Sequence, residues 1–381
     1  MLQQQVSYLL ANLLSRRTSG LAGTGLAMTL VWYLGPLVPG MAGPLPRAAA
    51  ILALALAWTG VAGAGAWRRR RRERALAAAI APDAAPDAAS DAASGAGPSG
   101  DAAEEVAQLR ARMAAAMARL RGNRRRWGTL YEQPWFLLIG PPGAGKTTAL
   151  ANCGLRFPPP AEGAEEGGVG GVGGTRLCDW WFADEAVLID TAGRYTTQDS
   201  DAAIDRAGWH GFLDMLRRTR PRQPVNGIIV VVSITDIAAA PAGERAAHAR
   251  AIRRRVKEVS DRLRIEVPVY MVFSKADQLR GFTDHFDDLD ADARRQVWGM
   301  TFPLASGVEA FAPEFRLLLD RLDSRHLERL QAERAPDRRA AAAGFALQAA
   351  SVAKPLEEFL RQAFGGTRLD PAPFLRGVYL A

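Results

Sequence analysis

The sequence predicts an α/β fold, a mostly parallel sheet with helices on both faces, and three observations carry that prediction. First, short apolar runs of β type recur at 135–139, 186–189, 227–233, 267–273 and 299–302, with helical stretches between them. Strands that alternate with helices build parallel sheets. Second, the first run leads directly into a glycine-rich turn, Gly140, Pro141, Pro142, Gly143, Ala144, Gly145, Lys146 and Thr147, with the spacing G-x-x-x-x-G-K-[ST]. Third, two later runs end in polar loops at 190–193 and 274–277. In that order these are the parts of a GTPase-like P-loop NTPase domain, placed at 128–305.

The chain begins with a short segment at 1–20, then two uncharged, mostly apolar runs at 21–38 and 48–67. Each is near the ~20 residues that cross ~30 Å of hydrocarbon as a helix. Only the Pro- and Gly-containing 39–47 joins them, so the pair reads as a transmembrane hairpin. Arg16 and Arg17 precede the first run, a cluster from Arg68 to Arg74 follows the second, and the loop between holds only Arg47. The positive-inside rule then puts both ends in the cytoplasm. Trp32, Tyr33 and Trp67 lie near the span ends, where amphipathic rings favour the interface.

Charge is uneven along the 381 residues. The net +8 is concentrated at 68–74 and in Arg124, Arg125 and Arg126. A basic block that follows a hydrophobic segment favours a membrane surface over nucleic acid. The two cysteines, Cys153 and Cys178, have no metal spacing and read as small reduced core residues.

Residues 68–103 read as a basic flank followed by an Ala-, Pro-, Asp- and Ser-rich flexible linker with no core of its own. At 104–127 an amphipathic helix is expected, because Val106, Leu109, Met113, Met117 and Leu120 recur at helical spacing. It is expected to pack on the domain that follows. Cys178 to Phe182 and the 186–190 run flank a short turn at Ala183, Asp184 and Glu185, which suits an antiparallel hairpin on the sheet. Beyond 305 the pattern turns helical at 309–331 and 337–364, so 306–381 is expected to be a helical extension.

The chemistry expected of the glycine-rich turn follows from its backbone. Glycines allow a curl that points N–H groups at phosphate oxygens, and the helix that follows aims its positive end at the same anion. Lys146 would reach the β/γ-phosphates and the Thr147 hydroxyl would bind Mg²⁺, with Thr148 beside them. Asp190, at a strand end, would hold Mg²⁺, and the amide of Gly193 would sense the γ-phosphate. Ser274, Lys275 and Asp277 fit a base-reading loop with Ser in the first place. Its carboxylate would accept from guanine donors that adenine lacks, which favours GTP over ATP. The glycines of 163–174 suit a mobile loop ending in Thr175, which would close on Mg²⁺ as a switch loop does. Ser306 falls in a fifth, base-side loop. Arg194 stands where a water-orienting Gln often follows the 190–193 motif, and no catalytic base is identified; Gln198 and Asp199 are merely nearby. Slow hydrolysis, or binding without useful hydrolysis, is therefore expected.

Four stretches, WFLLIGPPGAGKTT at 135–148, GGTRLCDWW at 173–181, IDTAGRYTT at 189–197 and VWGMTF at 297–302, closely resemble the TssM/IcmF family. The resemblance extends over the whole chain. It implies an inner-membrane component of the type VI secretion system, multi-pass, with the P-loop domain in the cytoplasm. It further implies an oligomeric complex with a TssL-like inner-membrane protein, contacts to the cytoplasmic baseplate, and a TssJ lipoprotein partner at the outer membrane. Family members continue into a third span and a large periplasmic region. This chain stops at Ala381, so the expectation is an N-terminal fragment or truncated product, with lipoprotein contact in doubt. The function expected is a membrane-anchored nucleoside-triphosphate-binding domain, a slow NTPase or a nucleotide switch. The alternative is a scaffold that uses the same fold for protein contacts alone.

Overall fold

The computed structural model describes residues 100–122, 131–157, 175, 177–197, 202–304, 306–367 and 370–381, with scattered residues between 29 and 55. The chain divides into two compact units, Met1–Asp87 and Ala88–Ala381. Only the second is described as a fold. The expected spans at 21–38 and 48–67 lie largely outside the described residues. Among the described residues no helix is long and apolar enough to cross a membrane.

The strands are β1 (Trp135–Ile139), β2 (Cys178–Phe182), β3 (Val187–Thr191), β4 (Gly227–Ser233), β5 (Val269–Ser274), β6 (Gly299–Thr301) and β7 (Leu375–Leu380). The helices, in chain order, are α1 (Gly100–Gly122), α2 (Lys146–Ala151), α3 (Arg194–Thr197), α4 (Ala202–Thr219), α5 (Ile234–Ala239), α6 (Ala242–Leu263), α7 (Phe282–Phe286), α8 (Ala291–Arg294), α9 (Phe311–Ala332) and α10 (Pro336–Phe364). Together they form a mixed α/β structure around one seven-stranded sheet of order β2-β3-β1-β4-β5-β7-β6. The five inner strands are parallel, while β2 runs antiparallel to β3 and β6 antiparallel to β7.

Strands covered on both faces read as near-continuous apolar runs. β1 follows that rule. Trp135, Leu137 and Ile139 enter the main core with Ile228, Val230 and Val232. Leu138 points to the other face, where it meets Leu188, Trp181 and Leu150 of α2. The β2–β3 hairpin expected from the sequence is present, with Trp180 opposite Ile189.

α1 starts at Gly100 and buries Leu109, Met113, Ala116, Met117 and Leu120. That stripe lies against α4 and β2. Arg112 pins its middle to β2 by donating to the Asp179 carboxylate at 2.7 Å.

The region from 306 onward departs from expectation. It is not a helical extension alone. Phe345, Leu356 and Phe359 of α10 are buried in the same core as Phe273 of β5. The chain then returns as β7, between β5 and β6. The strand was hidden because Arg376 and Gly377 interrupt the alternation of Leu375, Val378 and Leu380. The 299–302 run is accordingly an antiparallel edge strand rather than another parallel one.

Candidate functional site

Three loops converge where β1, β3 and β5 end. The first is 140–145, between β1 and α2. Gly143 and Gly145 have φ of 72° and 79°, left-handed values that side-chain-bearing residues adopt at a cost. This is the local reason for glycine at those two positions. Pro142 and Gly143 are exposed, and Ala144 is buried. Gly140 donates its N–H to the Thr196 hydroxyl at 3.1 Å. The Lys146 ammonium folds back onto this loop, donating to Gly140 O at 2.8 Å and Pro141 O at 3.0 Å. Burial lowers its pKa to about 8, against the opposing pull of Asp190. Thr148 faces solvent at the start of α2.

The second loop follows β3. Asp190 is fully buried. Its Oδ2 accepts from the Thr147 hydroxyl at 2.6 Å and from the Thr175 hydroxyl at 2.8 Å, and the two hydroxyls are 3.4 Å apart. Its Oδ1 is buried without a hydrogen-bond partner. Burial raises the carboxyl's pKa, and the two hydroxyl bonds and Lys146 oppose that rise. Gly193 lies against the first loop so closely that a Cβ would collide with the Pro142 backbone. Thr147, Thr175 and Asp190, widely separated in sequence, therefore form one cluster of oxygen donors beside one ammonium. Hard divalent cations are held by such donors.

The third loop follows β5. Ser274 is buried, and its hydroxyl donates to Ala144 O at 2.6 Å, which ties this loop to the first. Lys275 has a φ of 61°, an unusual value for a residue with a side chain. Such conformations persist where the surroundings hold them, and they gather at functional sites. Here Ser274 holds one side, and on the other the Ala276 N–H donates to Ala381 O at 2.9 Å. Asp277 is exposed in a short 3₁₀ turn, Ala276–Gln278. Ser306 is half-buried and its hydroxyl caps Pro303 O. The 163–174 loop, Gln198 and Asp199 lie outside the described residues.

Some participants escaped the sequence reading. Thr196 caps the Gly140 amide, and the only sequence signal for it was its place in the stretch 189–197. Arg194, which stands where a water-orienting Gln often follows the 190–193 motif, is engaged by carboxylates on two helices. It meets Asp205 of α4 at 2.7 Å and Glu105 of α1 at 2.9 Å. Nothing local in the sequence signals a pairing over that distance. Of the two cysteines only Cys178 is a core residue, its thiol pushed up by burial; Cys153 is exposed.

The family model of the IcmF-related N-terminal domain matches residues 202–381. Over 269 residues, 69% of this chain, the sequence is 50% identical to the type VI secretion system component TssM1 of Pseudomonas aeruginosa. The chain belongs to the TssM/IcmF family. The matched part covers 24% of that relative's length, so this TssM/IcmF chain spans about a quarter of it. Two solved structures are similar over smaller parts. The signal recognition particle receptor SRb-GTP/SRX complex from Chaetomium thermophilum is 20% identical over 38% of this chain and 70% of that one, with a TM-score of 0.25. A GTP-binding protein from Sulfolobus solfataricus in complex with GDP is 12% identical over 47% and 51%, with a TM-score of 0.23.

Proposed function

We propose that this chain is the nucleoside-triphosphate-binding part of a type VI secretion membrane complex. The observation that carries the proposal is the convergence of Lys146, Thr147, Thr175 and Asp190 beneath the glycine-rich loop. A P-loop uses this set: backbone amides and a lysine for phosphate, a hydroxyl and a carboxylate for Mg²⁺. Mg²⁺ fits the donors present. They are all hard oxygens, and the buried, unpartnered Asp190 Oδ1 leaves one lone-pair site to fill. Mg²⁺ there would supply charge neutralisation for the phosphates.

The protein's own groups do the rest. Lys146 leaves Gly140 O and Pro141 O and turns its ammonium to the phosphates. Gly143, Ala144 and Gly145 present the loop backbone. The Gly193 amide, pressed against Pro142, is close enough to the loop to report a γ-phosphate. Ser274 holds the base loop on the phosphate loop, and Lys275 and Asp277 cover and read the base. GTP is the preferred nucleotide because guanine offers Asp277 two donors. Arg194 in place of a water-orienting residue gives slow turnover, below ~1 s⁻¹.

The localisation we propose is the bacterial inner membrane, through spans at 21–38 and 48–67, with this domain in the cytoplasm. The partners are a TssL-like inner-membrane protein and baseplate components. One observation favours a second reading, a scaffold without turnover: Arg194 is paired with Glu105 and Asp205. Calorimetry of the chain with GTP and with ATP, each with and without Mg²⁺, tests the proposal. Mg²⁺-dependent binding with GTP preferred is expected. No binding of either nucleotide overturns it in favour of the scaffold.

A further inference from the structure

The contacts between α1 and the 193–196 turn describe a second device. Glu105 of α1 is buried, with 9% of its surface exposed. Its carboxylate accepts from the Tyr195 hydroxyl and pairs with Arg194 at 2.9 Å. Burial and this carboxylate both raise the Tyr195 pKa, so the phenol stays protonated and donates. Arg194 in turn bridges to the fully buried Asp205 of α4. The close fit is made by glycine. A Cβ on Gly208 of α4 would collide with Glu105 Oε1, and one on Gly211 would press on Val106 of α1. Helix α1 is therefore seated on α4 through a part-buried ion pair whose cation belongs to the turn beside the glycine-rich loop.

The same turn is bound to that loop at two points. Gly193 abuts Pro142, and Thr196 holds the Gly140 amide. No phosphate can take the loop amides and Lys146 without altering Lys146's bonds to Gly140 O and Pro141 O. A shift at Gly193 carries Arg194 and Tyr195 with it. Moving Arg194 alone would leave Glu105 buried and unpaired, which is strongly unfavourable. Movement of the turn therefore favours movement of the helix with it.

We propose that α1 is a nucleotide-gated latch: a triphosphate rearranges the 193–196 turn, withdraws Arg194 and Tyr195 from Glu105, and releases α1 from α4. The proposal rests on the nucleotide-binding reading above and adds its output. The released element is the helix that joins the domain to everything N-terminal of residue 100. The free face would be the stripe of Leu109, Met113 and Met117, now buried.

Binding free energies are reciprocal. If triphosphate loosens α1, then loosening α1 by substitution must tighten triphosphate binding by the same factor. Two variants do this without altering a residue of the nucleotide site. Glu105→Gln removes the charge that holds Arg194. Gly208→Ala displaces Glu105 sterically. Calorimetry on the full chain with Mg²⁺ and a non-hydrolysable GTP analogue, and separately with GDP, reads the coupling. Hydrogen exchange over 100–122 reads the latch, and far-UV circular dichroism confirms that each variant is folded. We expect both variants to bind the analogue at least ~5-fold more tightly, with GDP unchanged, and α1 of the wild type to lose protection when the analogue binds. Unchanged analogue affinity in a folded variant, or an α1 equally protected with and without bound analogue, overturns the latch and leaves nucleotide binding standing. Absence of binding to wild type and variants alike overturns both.

Discussion

Thr147 and Asp190 are joined by a 2.6 Å hydrogen bond across 43 residues of sequence, and Thr175 donates to the same carboxylate oxygen. The bond ties the end of β3 to the first turn of α2. It also leaves Asp190 with its other oxygen buried and unpartnered. Four expectations follow from this cluster and the loops around it.

Lys146→Ala should weaken triphosphate binding by more than tenfold, about 1.4 kcal/mol or more. Lys146 is the ammonium held over the loop carbonyls, and nothing else in the loop carries positive charge. Calorimetry on the two chains measures the loss. Equal affinities would remove the glycine-rich loop from the binding site.

The pH dependence of binding follows from the depressed Lys146 pKa. Burial brings it from 10.5 to about 8. In that interval the unfolded chain holds a proton that the folded chain has shed. Lys146 therefore costs stability below about 8, and the cost is relieved as pH rises toward 10.5. A bound polyphosphate favours the ammonium and raises its pKa. Binding at pH 8 should take up a fraction of a proton, and affinity should fall as pH rises through that value. Titrations in two buffers of different ionisation enthalpy measure the uptake, and a value of zero or a release would contradict this account.

Asp190→Asn should abolish the Mg²⁺ dependence of binding. The amide keeps an oxygen for the Thr147 and Thr175 hydroxyls but loses the charge that attracts a hard cation. Without Mg²⁺ the variant should bind triphosphate as well as the wild type or slightly better, because one negative charge near the phosphates is gone. Titration with and without Mg²⁺ separates the two effects. A variant that keeps the full wild-type response to Mg²⁺ would show that the cation sits elsewhere.

Asp277→Ala should reduce GTP affinity more than ATP affinity, because only guanine presents two donors to that carboxylate. Asp277 is exposed and free to meet a base, whereas Ser274 is buried against Ala144. Ser274→Ala should instead weaken both nucleotides alike, by detaching the two loops. Competition between GTP and ATP on each variant decides it. Equal losses for Asp277→Ala would mean that the 274–277 loop does not read the base.

The candidate site was unusually legible because its chemistry is local. A left-handed glycine at 143 or 145, a lysine after it and a hydroxyl next are adjacent in the chain, so spacing alone predicts their geometry. Asp190 was legible for a related reason: an apolar run at 186–189 announces the strand that delivers it. Thr175 was harder. It closes on Asp190 only through the β2–β3 hairpin, and the order of those two strands had to be inferred.

The amino-acid sequence by itself determined the alternation of strands and helices from 135 to 302, the amphipathic α1 stripe and the three loops at the strand ends. These are set by periodicity and by the backbone preferences of neighbouring residues. Tertiary structure alone decided that β7 slips between β5 and β6, so that Ala381 O supports the loop carrying Asp277. It alone decided that Glu105 meets Tyr195, a pair 90 residues apart. Both are settled by which surfaces remain to be buried once the rest has packed: Leu375, Val378 and Leu380 fill one slot in the sheet, and the glycines at 208 and 211 admit one helix face. No window of sequence contains that competition, because the groups that compete are brought together only by the fold.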